Sequence, residues 1–161
     1  MKERLIFIHS LIFLILVSCC QAQAHAQTIS PIASNTQMQK DILRYINQYR
    51  SKHSLSPLQL DESISKEATL HSQNMAAHRV PFGHQGFSTR IKHLYSVIKG
   101  ARAGAENVAY NYKTAKIVTD GWIKSPGHRK NIMGNYNLTG IGIAYDKEGK
   151  IYYTQLFIRT T

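Results

Sequence analysis

The sequence predicts an α+β domain in which helices cover a small antiparallel sheet. Apolar residues recur at helical spacing between Met38 and Met133. From Leu138 onward the pattern changes to runs rich in Ile, Tyr, Thr and Phe with a turn between them. Helices first and strands last, with no internal repeat, argue against alternating βαβ units.

Each element has its own signals. Ser34 or Asn35 is placed to cap a first helix whose inner positions are Met38, Ile42, Ile46 and Tyr49. Pro57 breaks the chain, and Asp61 is the expected N-cap of a second helix with Ile64, Ala68, His71 and Met75 on one stripe. Pro81 and Gly83 end it. Ser88 is the expected cap of a short third helix carrying Ile91, Leu94 and Ile98, closed by Gly100. Thr114 opens a fourth helix with Ala115, Val118 and Trp122 inside, and Pro126 restarts a brief helical turn ended by Gly134. Leu138–Tyr145 and Ile151–Ile158 form a hairpin around Asp146-Lys147-Glu148-Gly149-Lys150, and Asn107–Tyr110 supplies a third strand. Gly140 and Gly142 lie inside a hairpin strand, so they read as sites of close packing or a bulge and not as a dinucleotide fingerprint.

The chain has 161 residues, of which 43% are hydrophobic and 18% charged, which excludes a disordered or collagen-like protein. Lys2 and Arg4 precede an apolar run from Leu5 to Val17, too short to span a bilayer and followed by small and polar residues. Residues 1–26 are therefore expected to be a signal peptide, 27–37 a linker and 38–161 the folded domain. Ala22-Gln23-Ala24 and Ala24-His25-Ala26 suit ordinary signal peptidase, whereas residues 16–19, Leu-Val-Ser-Cys, suit a lipobox in which Cys19 would carry lipid. Export to the periplasm or beyond is the expectation, with contact to a membrane only through that anchor. Both cysteines, Cys19 and Cys20, lie in the leader, so the mature domain must fold on its hydrophobic core without disulfides.

Loss of Lys2, Glu3 and Arg4 with the leader leaves 18 basic and 8 acidic residues, a net charge of +10. The basic residues, Arg50 and Arg90 among them, are scattered in runs no longer than two and read as solvated surface. No nucleic-acid module accompanies them, so the expected partners are an anionic envelope polymer or lipid headgroups. Tyr110, Tyr112, Tyr136, Tyr145, Tyr152 and Tyr153 form either a binding face or cross-strand packing.

Nucleophile elbows, P-loops, His-Glu-x-x-His and paired-cysteine zinc motifs are absent from the sequence. What remains is a set of histidines and one acid in an apolar setting. His84 follows Pro81-Phe82-Gly83, His128 follows Ser125-Pro126-Gly127, and Glu106 sits within Ala105-Glu106-Asn107-Val108-Ala109. The three are either incidental loop residues and a backbone-bonded acid, or a functional cluster. His71 and His78 are expected on one helical face lining a core or cavity edge, and His53 and His93 in solvent.

Taken in order, His71-Ser72-Gln73-Asn74-Met75, Phe82-Gly83-His84, Gly104-Ala105-Glu106-Asn107-Val108-Ala109 and the run from Trp122 to Met133 resemble the CAP superfamily of cysteine-rich secretory, antigen 5 and pathogenesis-related 1 proteins, also called SCP domains. Thr139-Gly140-Ile141-Gly142-Ile143 with Tyr152-Tyr153-Thr154-Gln155 resembles its disulfide-free bacterial branch. The resemblance implies a three-layer α-β-α sandwich and a cleft in which His84 and His128 are the cavity histidines and Glu106 the acid of the Glu-Asn motif, with Asn107 and Ser125 beside them. Many eukaryotic members carry a second glutamate where this chain has Ser125. The implied metal ligands are His84, His128 and Glu106, holding at most a weak, exchangeable zinc ion, and no cofactor is required.

Three functions follow from this reading. A binding module for a lipid, sterol or glycan ranks first, and an extracellular signalling or host-interaction domain second. A metal-assisted hydrolase, with Glu106 as candidate base, ranks third because one carboxylate cannot be both ligand and free base. A monomer is expected.

Overall fold

The computed structural model describes residues 31–161. The signal-peptide and lipobox expectations for residues 1–26 lie outside them. Five helices and four strands follow in the order α1 (Pro31–Lys52), β1 (Gln59–Leu60), α2 (Glu62–Ala76), α3 (Phe87–Val97), β2 (Ala103–Tyr110), α4 (Ala115–Lys124), α5 (Pro126–Ile132), β3 (Leu138–Tyr145) and β4 (Ile151–Arg159). Among the described residues, no helix is long and apolar enough to cross a membrane.

The sheet order is β1-β3-β4-β2. β3 and β4 form the expected hairpin, and β4 also pairs antiparallel with β2, setting Glu106 opposite Leu156 and Asn107 opposite Gln155. The sheet is not wholly antiparallel, because the two-residue β1 joins β3 in parallel. Successive side chains of a strand point to opposite faces, and β4 shows it. Tyr153 and Phe157 join Ile42, Ile46, Val118, Trp122 and Ile132 in a core under α1, α4 and α5. Leu156 and Ile158 pack with Ile64, Ala68, Ile91 and Leu94 under α2 and α3. Helices thus cover both faces, giving the three-layer sandwich.

Local signals place most helix ends. Asp61 accepts the Ile64 amide at 2.9 Å and Thr114 the Ile117 amide at 3.2 Å, each at its own helix start. Two starts differ from expectation. Residues 31–37 are already helical in α1, so helix occupies most of the expected linker and Ser34 and Asn35 lie inside it rather than at a cap. α3 begins at Phe87, with Gly86 and not Ser88 as its cap, because Gly86 turns the chain at φ 78°.

Arg50, expected in solvent, is 2% exposed. Its partners are not carboxylates: it donates to the carbonyls of Ser56, Ile132, Gly134 and Tyr136 at 2.7–3.2 Å. The guanidinium fork thereby ties the end of α1 to the turn that follows α5.

Candidate functional site

Glu106 lies in the middle of β2 with its side chain 1% exposed. A buried carboxylate needs partners, and Arg90 on α3 supplies them. Arg90 Nε donates to Oε2 at 2.9 Å, and Nη2 reaches Oε2 at 2.7 Å and Oε1 at 2.9 Å. Arg90 Nη1 also holds the Gln85 carbonyl at 2.8 Å. Arg90, expected on the surface, is 8% exposed and belongs to this site. Its position four residues before the core residue Leu94 was the available signal, since i and i+4 share a helix face.

The loop before α3 carries His84 to the same carboxylate. His71, buried on α2, contacts the Gly83 carbonyl through Nε2 at 2.9 Å, and Gly83 takes φ 144°, a conformation that favours glycine. His84 Nδ1 then lies 2.9 Å from Glu106 Oε1. A carboxylate gripped by a guanidinium accepts and does not donate, so Nδ1 donates in this contact and Nε2 is the nitrogen left outside it. His84 keeps a half-exposed side chain, so this nitrogen belongs to the open side of the site.

The other face of β2 positions His128. Asn107 is fully buried and donates to the His128 carbonyl at 3.2 Å while accepting from Asn131 Nδ2 at 2.8 Å. Asn131 also donates to the Glu106 carbonyl at 3.0 Å, and Trp122 Nε1 donates to the Val108 carbonyl at 3.1 Å. Asn107 therefore acts by fixing α5 to β2. Ser125 closes α4 and precedes Pro126 at the start of α5 without a side-chain capping bond. Ser125 and His128 share a cleft of about 280 Å³ with Phe82, Tyr110, Tyr112 and Trp122. His84 and His128 come within electrostatic reach: burial first, then the His84 charge, lowers the pKa of His128.

The structure thus joins His84 to Glu106 directly, while Asn107 and His128 meet on the other face of β2, and the cleft that Ser125 shares with His128 is bordered by neither His84 nor Glu106. The expected metal set does not close. Both Glu106 oxygens are engaged by Arg90 and His84, and among the described residues no three His, Cys, Asp or Glu side chains are grouped to hold an ion. Of the expected ligands, the two imidazoles remain as donors. Of the other histidines, His78 lies beyond the end of α2 and is exposed, so it does not share a helical face with His71. His93 is exposed and meets Glu67 at 2.8 Å, and His53 contacts the Tyr49 carbonyl.

Burial also lowers the pKa of His71, outweighing the hydrogen bond to Gly83, which raises it. His71 and His128 are thus neutral in the fold under conditions where the unfolded chain, titrating near about 6.5, takes up protons. Their contribution to stability is present above that value and is lost as pH falls through the lower folded pKa values. Thermal unfolding between about pH 8 and about pH 5 should show Tm declining below about 6.5, and His71→Gln should flatten the decline. Equal slopes in the two proteins would remove His71 as its source.

Residues 43–157 match the cysteine-rich secretory protein family, CAP. YkwD, an uncharacterized protein of Bacillus subtilis (strain 168), is 37% identical over 133 residues, covering 81% of this chain and 51% of that protein. YlbC, an uncharacterized membrane protein of the same organism, is 32% identical over 132 residues, covering 77% of this chain and 35% of that protein. The chain therefore spans about half or less of the curated relatives it matches. An extracellular protein of Bacillus anthracis containing an SCP domain superposes with a TM-score of 0.67 at 26% identity, over 82% of this chain and 44% of that one. An outer surface protein of Borrelia burgdorferi shares the fold, with a TM-score of 0.67 at 18% identity over 76% of this chain and 92% of that one.

Proposed function

The chain belongs to the cysteine-rich secretory protein (CAP) family, and on that premise we propose that it is an exported binding module without catalytic activity. One observation carries the reading. Glu106, the acid of the family's Glu-Asn motif, is held by Arg90 and used to orient His84. A base with both oxygens occupied is a poor proton acceptor, which disfavours the hydrolase reading. The His128 imidazole and the Ser125 hydroxyl among aromatic walls, with the fixed His84 imidazole within electrostatic reach, suit recognition of a small ligand. An extracellular relative and the apolar leader support export, and Cys19 offers the anchor if the lipobox is used.

The imidazole signal of His128 reports on this cleft, and that of His84 on the adjoining Glu106 pair. In NMR titrations with zinc, palmitate and chitotetraose, at least one probe should move both signals. Zinc should bind weakly and exchangeably, and more weakly still in His84→Ala and His128→Ala. If no probe moves either imidazole, the cleft is not a binding site. Equal zinc affinity in wild type and both variants would remove the histidines as donors.

A further inference from the structure

We propose that a row of aromatic rings running out of the cleft is a carbohydrate-binding strip, and that its occupant is a glycan chain bearing acidic groups. This rests on the cleft being a binding site and adds the class of ligand. The row is built from four separate segments. Phe82 comes from the loop pinned by His71, Tyr110 from the end of β2, Tyr152 from β4 and His78 from the turn after α2. Phe82 and Tyr110 lie 5.9 Å apart between ring centroids, Tyr110 and Tyr152 4.8 Å, and Tyr152 and His78 6.5 Å.

Two of these rings are offered to solvent. Phe82 is 53% and Tyr110 38% exposed, while Tyr152 is buried and lies directly opposite Tyr110 in the strand register, as a floor. Each step along the row is about one sugar unit long. The row also joins two depressions. Phe82 and Tyr110 border the 280 Å³ cleft with Ser125 and His128, and His78 borders a groove of about 630 Å³ between the end of α2 and the hairpin turn. A linear polymer fits this layout, Phe82 and Tyr110 taking the apolar faces of sugars over the Tyr152 floor, and the imidazoles and hydroxyls at the ends taking polar groups.

Charge selects an acidic chain. The mature domain carries +10, and the buried Glu106 carboxylate is already paired with Arg90. Arg79 and Lys147 line the far groove, and Lys150 pairs with Glu148 at its rim. The acids there are Asp146 and Glu148, so Arg79, Lys147 and Lys150 leave this end of the row with one positive charge in excess. An acyl chain gains most where it is enclosed, and a strip one ring wide along the surface leaves it wet.

Calorimetry with a galacturonic acid tetramer, with neutral chitotetraose and with phosphatidylglycerol vesicles tests this on the wild type, Phe82→Ala and Tyr110→Ala. Both side chains are exposed, so the variants should fold, and circular dichroism checks it. The acidic tetramer should bind more tightly than the neutral one and lose affinity as salt rises. Each ring variant should weaken it about tenfold. Failure of both sugars to bind, unchanged affinity in both ring variants, or binding to vesicles alone would overturn the strip. If zinc or palmitate still moves the His84 and His128 signals in that case, the cleft reading stands and only the glycan falls.

Discussion

Gly142→Ala should yield no cooperatively folded domain. A Cβ built at Gly142 would sit 2.2 Å from the backbone carbon and oxygen of Ala68 and 2.3 Å from the Thr69 nitrogen. Gly140 meets the same helix, at 2.2 Å from the Ile64 carbon and the Ser65 nitrogen. α2 therefore lies on β3 backbone to backbone, and Ser72 binds the Gly142 carbonyl at 3.1 Å within that contact. Overpacked cores usually relax by moving side chains, at about 1–3 kcal/mol. Here the obstacle is helix main chain, so α2 must leave the sheet and uncover Ile64, Ala68 and Met75 with it. The expected loss exceeds about 4 kcal/mol, a large share of the stability of an ordinary domain. Urea unfolding measures it, with Gly127→Ala as the control, since nothing lies within 4 Å of a Cβ there. A transition within about 1 kcal/mol of wild type would show that α2 can shift at little cost.

Trp122→Ala should cost about 3–5 kcal/mol, the usual penalty for emptying a large buried aromatic site. Trp122 is 1% exposed, meets the Tyr153 ring edge-on at 6.5 Å, and donates to the Val108 carbonyl. The substitution removes packing between α4 and the sheet together with a hydrogen bond that holds β2. Trp122→Phe keeps most of the packing and loses the donor, so its urea midpoint should fall between the other two. A loss under about 1 kcal/mol for the alanine variant would mean that the site collapses around the gap.

Features written locally were legible in the sequence. Asp61 and Thr114 announce their helices because a cap works through amides three residues away. Gly140 and Gly142, read as sites of close packing, are such sites because a side chain there would meet the main chain of α2. Features that depend on distant partners were not. Arg50 and Arg90 read as surface by residue type; spacing from Leu94 marks Arg90 as inward-facing, but nothing local names the carbonyls and the carboxylate that bury the two side chains. β1, two residues long, carries no periodicity at all. In the site, the meeting of His84 with Glu106 was carried by the family resemblance. The failure of the ligand set to close was not legible, because it turns on Arg90 reaching the carboxylate from sixteen residues away.

The bonds from Trp122 and Asn131 to β2 also bear on how copies of this chain behave together. β2 ends the sheet, and the margin of a sheet is a template on which a foreign strand can zip by main-chain bonding. Two of the carbonyls such an intruder would need, those of Glu106 and Val108, are already spoken for by side chains. At the opposite margin β1 offers only two residues. The same contacts that place His128 beside the cleft therefore guard the protein against edge-to-edge aggregation, and losing either would expose a sticky border as well as loosen a site.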